Sequence, residues 1–169
     1  VEKFPLPALI LLAVLAAPIV EELVFRKLLL DRIRRYGERT AVLVSGLIFG
    51  LVHGNFYQFF YAFAVGCTFA YVYLRTGRLR YTIGYHMALN FLGSVPGAVL
   101  LKNLPHQPGN LVWMMLYTAV ILSLAAVGIT LLAVNRKALR WKTAEEELPF
   151  GTRFRTAAGN SGMLALLIV

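Results

Sequence analysis

Apolar residues run from about Phe4 to Phe25, Thr40 to His53, Phe56 to Leu74, Tyr81 to Leu101 and Leu111 to Val134, with short polar stretches between them. Most of these runs approach the ~20 residues that cross a bilayer as a helix. The first continues as helix to about Arg35. The second is short if it stops at "HGN", so it tilts or is shielded by its neighbours. Hydrocarbon offers no partners for backbone polar groups, so spanning segments of this kind are helical. The pattern predicts an all-α fold, a polytopic membrane helix bundle with about five transmembrane helices. The closing "MLALLIV" reads as the possible start of a truncated sixth, or as a short surface-lying end.

Composition agrees with this. Hydrophobic residues make up 59% of the 169 positions, and the mean hydropathy is +0.68. The formal charge of +9 would suggest nucleic acid in a soluble protein. Here the positive residues sit between apolar segments, which points to anionic lipid and the bilayer as partner, with no nucleic acid. The stretch 26–39 holds Arg26, Lys27, Arg32, Arg34, Arg35 and Arg39. "RTGRLR" holds Arg75, Arg78 and Arg80, and 135–142 holds Arg136, Lys137, Arg140 and Lys142. The intervening connections hold only Lys102. This alternation places the three basic loops on the cytoplasmic side. The chain divides into a membrane-embedded core, 1–142, and a polar tail, 143–169, that reads as a cytoplasmic linker. The single cysteine, Cys67, excludes an internal disulfide and reads as a small buried apolar residue.

Against this background several polar residues are costly. A carboxylate at the centre of a membrane helix costs ~2.5–3.5 kcal/mol on insertion scales. Glu21 and Glu22 stand side by side after a long apolar run. Glu22 and Arg26 are four apart and can pair on one helix face. Glu21 lies about 100° round the helix, so it needs another partner or a job. The second run ends "SGLIFGLVHGNF", with His53 at its end and Gly46, Gly50 and Gly54 every four residues. Such a stripe lets a neighbouring helix come close. In "YTIGYHMALNFLG", His86 and Asn90 share a face. Each feature also has a plain reading: a helix end at the interface, a packing stripe, and interhelical hydrogen bonds.

Depth links them. Glu21 lies sixteen residues before Gly37 and His53 sixteen after it, so both sit ~24 Å from a turn there. His86 and Asn90 lie ~13 to 20 Å from a turn at Gly77. One carboxylate, two imidazoles and a carboxamide can therefore converge. A carboxylate with a histidine can activate water as general base. A second histidine and an asparagine can donate hydrogen bonds to an oxyanion. Ser45 and Ser94 have no triad spacing. These are the parts of a hydrolase that attacks a peptide with water directly.

The motifs "EELVFR", "FGLVH" and "HMALN", in this order and on membrane helices, resemble the CPBP intramembrane proteases, relatives of the type II CAAX prenyl endopeptidase and of bacterial Abi proteins. The resemblance covers roughly residues 17 to 95. It implies that Glu21 is the water-activating base, that His53 helps hold the water, and that His86 and Asn90 are oxyanion donors. It implies a supporting role for Glu22 and Arg26, which orient Glu21, and for Phe49, one turn from His53. It further implies a peptide or protein substrate, an integral protein of a prokaryotic cell membrane, and no cofactor. Members were long described as metalloproteases, and a glutamic mechanism is now favoured. The best-known members carry several helices before the first motif, so upstream helices are expected that this chain, opening with the motif helix, lacks.

Three other readings stay open. Glu21, His53 and His86 would form a two-histidine, one-carboxylate zinc set with an open position for water. The polar cluster could instead hold together a non-catalytic scaffold or immunity protein. An intramembrane carboxylate beside histidines can also relay protons in a transporter.

Overall fold

The computed structural model describes residues 5–103, 108–143 and 149–159. Every regular element among them is helical. Six helices follow in order: α1, Leu6–Tyr36; α2, Glu38–Leu51; α3, Phe56–Thr76; α4, Leu79–Asn103; α5, Pro108–Val134; and α6, Phe150–Ala158. The apolar runs of the sequence become α1 to α5; four of the helices are longer than their runs, and α2 has the same length as its run but begins and ends two residues earlier. The polar stretch expected to be a linker contains α6. The closing "MLALLIV" lies outside the described residues.

Among the described residues, two segments, Leu6–Tyr36 and Leu111–Val134, are long and apolar enough to cross a membrane. In α5 none of the side chains from Leu111 to Val134 is buried. A helix that is apolar all round and uncovered belongs in lipid or against another apolar surface.

Sequence punctuation sets the helix ends. Asn55 caps α3 by accepting from the Gln58 amide at 2.8 Å. Gly77, at φ +64°, ends α3 in the left-handed conformation that suits glycine. Gly37, at φ +94°, turns the chain between α1 and α2. Within α1, Pro18 has no amide hydrogen to donate, and the backbone on its N-terminal side is wound with i→i+5 bonds over Ile10–Ala16. A second such stretch, Leu23–Leu30, begins directly after the two glutamates. Wide turns of this type concentrate at functional sites.

Contacts divide the chain into two compact units, one of residues up to Ala16 with Met87–Arg140, the other of Ala17–His86 with the segment that begins at Trp141. In the first, Pro96 sits inside α4 and cannot donate to the Leu92 carbonyl. The Tyr117 hydroxyl of α5 donates to that carbonyl instead. In the second, Phe25, Leu29, Leu30, Val44, Ile48, Phe49, Ala62 and Ala70 lie in the buried core.

The glycine stripe explains how close α2 and α3 come. A Cβ on Gly46 would lie 2.4 Å from Cys67 Sγ, and one on Gly66 3.0 Å from the Gly46 Cα. Gly50 meets Phe59 in the same way. Gly54 leaves the stripe: nothing lies within 4 Å of its Cβ position, and its φ of +67° assigns it to the turn after α2. The α6 helix is held in the same unit. Ala157 is buried in the core, and Arg153 donates to the Tyr36 carbonyl at 3.4 Å. Glu38 accepts from the Lys142 amide at 2.8 Å and pairs with Arg75.

Candidate functional site

The site grows from the middle of α1. Glu22 and Arg26 are both fully buried, and the Arg26 Nε donates to Glu22 Oε2 at 2.9 Å. A buried charge is tolerated only when it is paired and its other hydrogen-bonding positions are filled. Each nitrogen of Arg26 and each carboxylate oxygen of Glu22 has at least one hydrogen-bond partner. Arg26 Nη1 donates to Ser45 Oγ on α2 at 3.0 Å, and its guanidinium lies 5.1 Å from the centre of the Phe49 ring and 5.9 Å from that of Phe69. Glu22 Oε1 lies 3.1 Å from His86 Nδ1 on α4. The buried Thr82, one turn before His86, lies near Glu22, and its hydroxyl donates to the Leu79 carbonyl at 3.0 Å.

His86 thus stands between two carboxylates. Its Nδ1 faces Glu22, and its Nε2 lies 3.8 Å from Glu21 Oε2. The two glutamates differ sharply. Glu22 is sealed, whereas the Glu21 side chain is 33% exposed. Its Oε2 is nonetheless buried and has no hydrogen-bond partner among the described residues. A buried acceptor without a partner is the place where a water or substrate atom is to be expected.

Phe49 organises the histidines. It is almost fully buried, and its ring makes edge-on contacts with Phe25, His53 and His86 at 5.1, 4.9 and 5.7 Å between centres. His53, half-buried just past the end of α2, has its Nδ1 2.6 Å from the Phe49 carbonyl. A carbonyl can only accept, so Nδ1 carries the proton and Nε2 of a neutral His53 presents a lone pair. Among the described residues, the ionisable partner of Glu21 is His86, and His53 is tied to the same cluster through the Phe49 ring.

Asn90 belongs to the first unit. Its amide donates to the Ala13 carbonyl at 2.8 Å, within the wide-turn stretch of α1. Its own carbonyl accepts from Ser94 Oγ at 2.6 Å.

Ser45 and Thr82 were not singled out as members of the site from sequence. The signal was there as spacing: Ser45, Phe49 and His53 recur every four residues, as do Thr82, His86 and Asn90. Among the described residues no three His, Cys, Asp or Glu side chains are grouped to hold a metal ion.

A family model described as "Type II CAAX prenyl endopeptidase Rce1-like" matches residues 3–92, just over half of the chain. The chain belongs to the Rce1-like family. The matched stretch contains every candidate site residue named above, from Glu21 to Asn90. A relative from Bacillus subtilis (strain 168), "Putative membrane peptidase YdiL", is 35% identical over 88 residues. That match covers 50% of this chain and 35% of the relative, so the chain spans well under half of that protein's length. No solved structure matches.

Proposed function

We propose that this chain carries the reaction centre of a membrane-embedded endopeptidase that hydrolyses a peptide bond with water activated by Glu21. The observation that carries this reading is the unpartnered, buried Glu21 Oε2 facing His86 Nε2 at 3.8 Å, beside a fully satisfied Glu22–Arg26 pair. The name of the Bacillus relative and the family support a peptidase.

In this mechanism Glu21 takes a proton from water as the water oxygen bonds to the scissile carbonyl carbon. The resulting oxyanion accepts hydrogen bonds from His86 and Asn90. In doubly protonated His86 the Nδ1 proton is committed to Glu22, so the Nε2 proton is the one available to the oxyanion. The protonated Glu21 then gives its proton to the leaving amide nitrogen as the C–N bond breaks. His53 Nε2, with its lone pair exposed, accepts a hydrogen bond from the attacking water. Glu22, Arg26, Ser45 and Phe49 hold these groups in place without touching the substrate.

The substrate is a peptide or protein reaching the site from or beside the bilayer. The helices α3 and α4 cross the membrane with α1 and α5, and the basic connections face the cytoplasm of a prokaryotic cell. The experiment is cleavage of a peptide library by the detergent-purified chain, wild type and Glu21→Gln, each with and without a strong chelator. Turnover that survives the chelator and is lost in Glu21→Gln supports the reading. Turnover abolished by chelator and restored by zinc overturns the glutamate-water mechanism. No turnover in wild type, with an intact fold, favours the scaffold or immunity role.

A further inference from the structure

A polar cavity lies away from Glu21 and Glu22, at the basic end of α1. It encloses about 690 Å³, bordered by the last turns of α1, the start of α2, the end of α3 and the segment at Lys142. Five cationic side chains line it, Lys27, Arg32, Arg34, Arg35 and Lys142, against two carboxylates, Asp31 and Glu38.

Both carboxylates are already neutralised. Asp31 pairs with Lys27 at 2.9 Å and with Arg34 at 3.8 Å, and accepts from the Tyr73 hydroxyl at 3.2 Å. Glu38 pairs with Arg75, which stands outside the cavity lining. The remaining cations have donors to offer. Arg32 spends one nitrogen on the Leu28 carbonyl, and Arg35 spends one on the Tyr36 hydroxyl. A guanidinium carries five N–H donors in a fork that matches an oxyanion.

The position completes the argument. This cavity sits at the polar end of a 31-residue apolar helix, where lipid headgroups lie, and Leu74 adds an apolar edge. Basic pockets between helices at a membrane surface bind anionic headgroups. We propose that this cavity is a binding site for the phosphate of an anionic phospholipid, held chiefly by Arg32 and Arg35. The site does not depend on the peptidase reading, and its test involves no turnover.

The test is native mass spectrometry of the full chain in detergent, titrated with phosphatidylglycerol or with phosphatidylcholine. Wild type retains phosphatidylglycerol in preference. The double variant Arg32→Gln/Arg35→Gln lowers that retention roughly tenfold to thirtyfold, from about 1 kcal/mol per basic residue near an anionic surface. Both arginines are exposed, so the fold tolerates the change. The single variants should each give part of the loss. Arg78→Gln, an exposed positive residue outside the cavity lining, leaves retention unchanged. Equal retention of the two lipids overturns the proposal, as does an equal loss in Arg78→Gln, which means diffuse surface charge. Displacement of phosphatidylglycerol by millimolar inorganic phosphate assigns the cavity to free phosphate and overturns the lipid assignment.

Discussion

Glu22 Oε1 lies 3.1 Å from His86 Nδ1, and the same carboxylate is closed on its other side by Arg26 at 2.9 Å. One fully buried carboxylate therefore fixes both a guanidinium and an imidazole, while its neighbour Glu21 is left with a free oxygen. Adjacent residues on a helix point to different sides, and here the two sides are a sealed core and an open site.

Removing one partner from the sealed side should be costly. Glu22→Gln leaves Arg26 buried without its counter-charge, and breaking a buried pair in this way costs about 3–5 kcal/mol. Arg26→Met should cost about the same for the converse reason. The double variant Glu22→Gln/Arg26→Met should lose clearly less than the two single losses combined, because neither charge is then stranded. Thermal unfolding in one detergent reads all three. Additive losses would mean that the pair is not the unit of stability.

Asn90 has two possible contributions, and they separate experimentally. Its amide donates to the Ala13 carbonyl, a bond worth about 0.5–1.5 kcal/mol. Loss of an oxyanion donor costs about 10²–10³ in kcat. Asn90→Ala should therefore show a small fall in thermal stability together with a fall in kcat of that order. A stability loss with kcat unchanged would make Asn90 a packing residue only.

Phe49 should govern the histidines through shape rather than chemistry. Its ring touches both imidazoles and the Arg26 guanidinium. Phe49→Ala should cost about 3–5 kcal/mol by leaving a cavity. Phe49→Leu should keep most of that stability yet lower kcat, since neither histidine then has a ring edge to rest on. Measuring kcat and KM for Phe49→Leu checks this; a change confined to KM would place Phe49 in substrate binding instead.

Much of this arrangement was legible in the sequence. The apolar runs gave the helices, because hydrocarbon-length stretches have few other outcomes. The Glu22–Arg26 pair followed from its spacing of four and is found as read. The Glu21–His86 approach was harder, since it depends on how α1 and α4 are set beside each other, and a depth estimate along each helix axis carries no rotation about it. Gly54 was grouped with Gly46 and Gly50 by periodicity, but a period cannot tell where a helix stops, and the chain leaves α2 before reaching it. The α6 helix carries a readable stripe, with Phe150, Phe154, Ala157 and Ala158 at helical spacing, but its nine residues are polar on average and so read as a linker; Ala157 and Phe154 anchor it through packing.

Gly46 of the stripe and Gly66, which meets it from α3, lead to a prediction with its own control. A methyl group on Gly46 would meet Cys67 Sγ at 2.4 Å, with the Cys67 amide nitrogen at 3.0 Å and the Phe63 carbonyl oxygen at 3.1 Å. Gly46→Ala should therefore cost about 1–3 kcal/mol, the usual price of overpacking. The nearest clash is with a side-chain atom, so Cys67→Ala in the same chain should recover a large part of the loss. Gly66→Ala meets different atoms, the Gly46 Cα and the Phe49 Cβ, both at 3.0 Å. It should be destabilised to a similar degree, gain nothing from Cys67→Ala, and lose activity as well because it pushes on Phe49. Unfolding midpoints of the two alanine variants with and without Cys67→Ala decide the matter. Rescue of both, or of neither, would show that α2 and α3 relax as whole helices rather than through the Cys67 side chain.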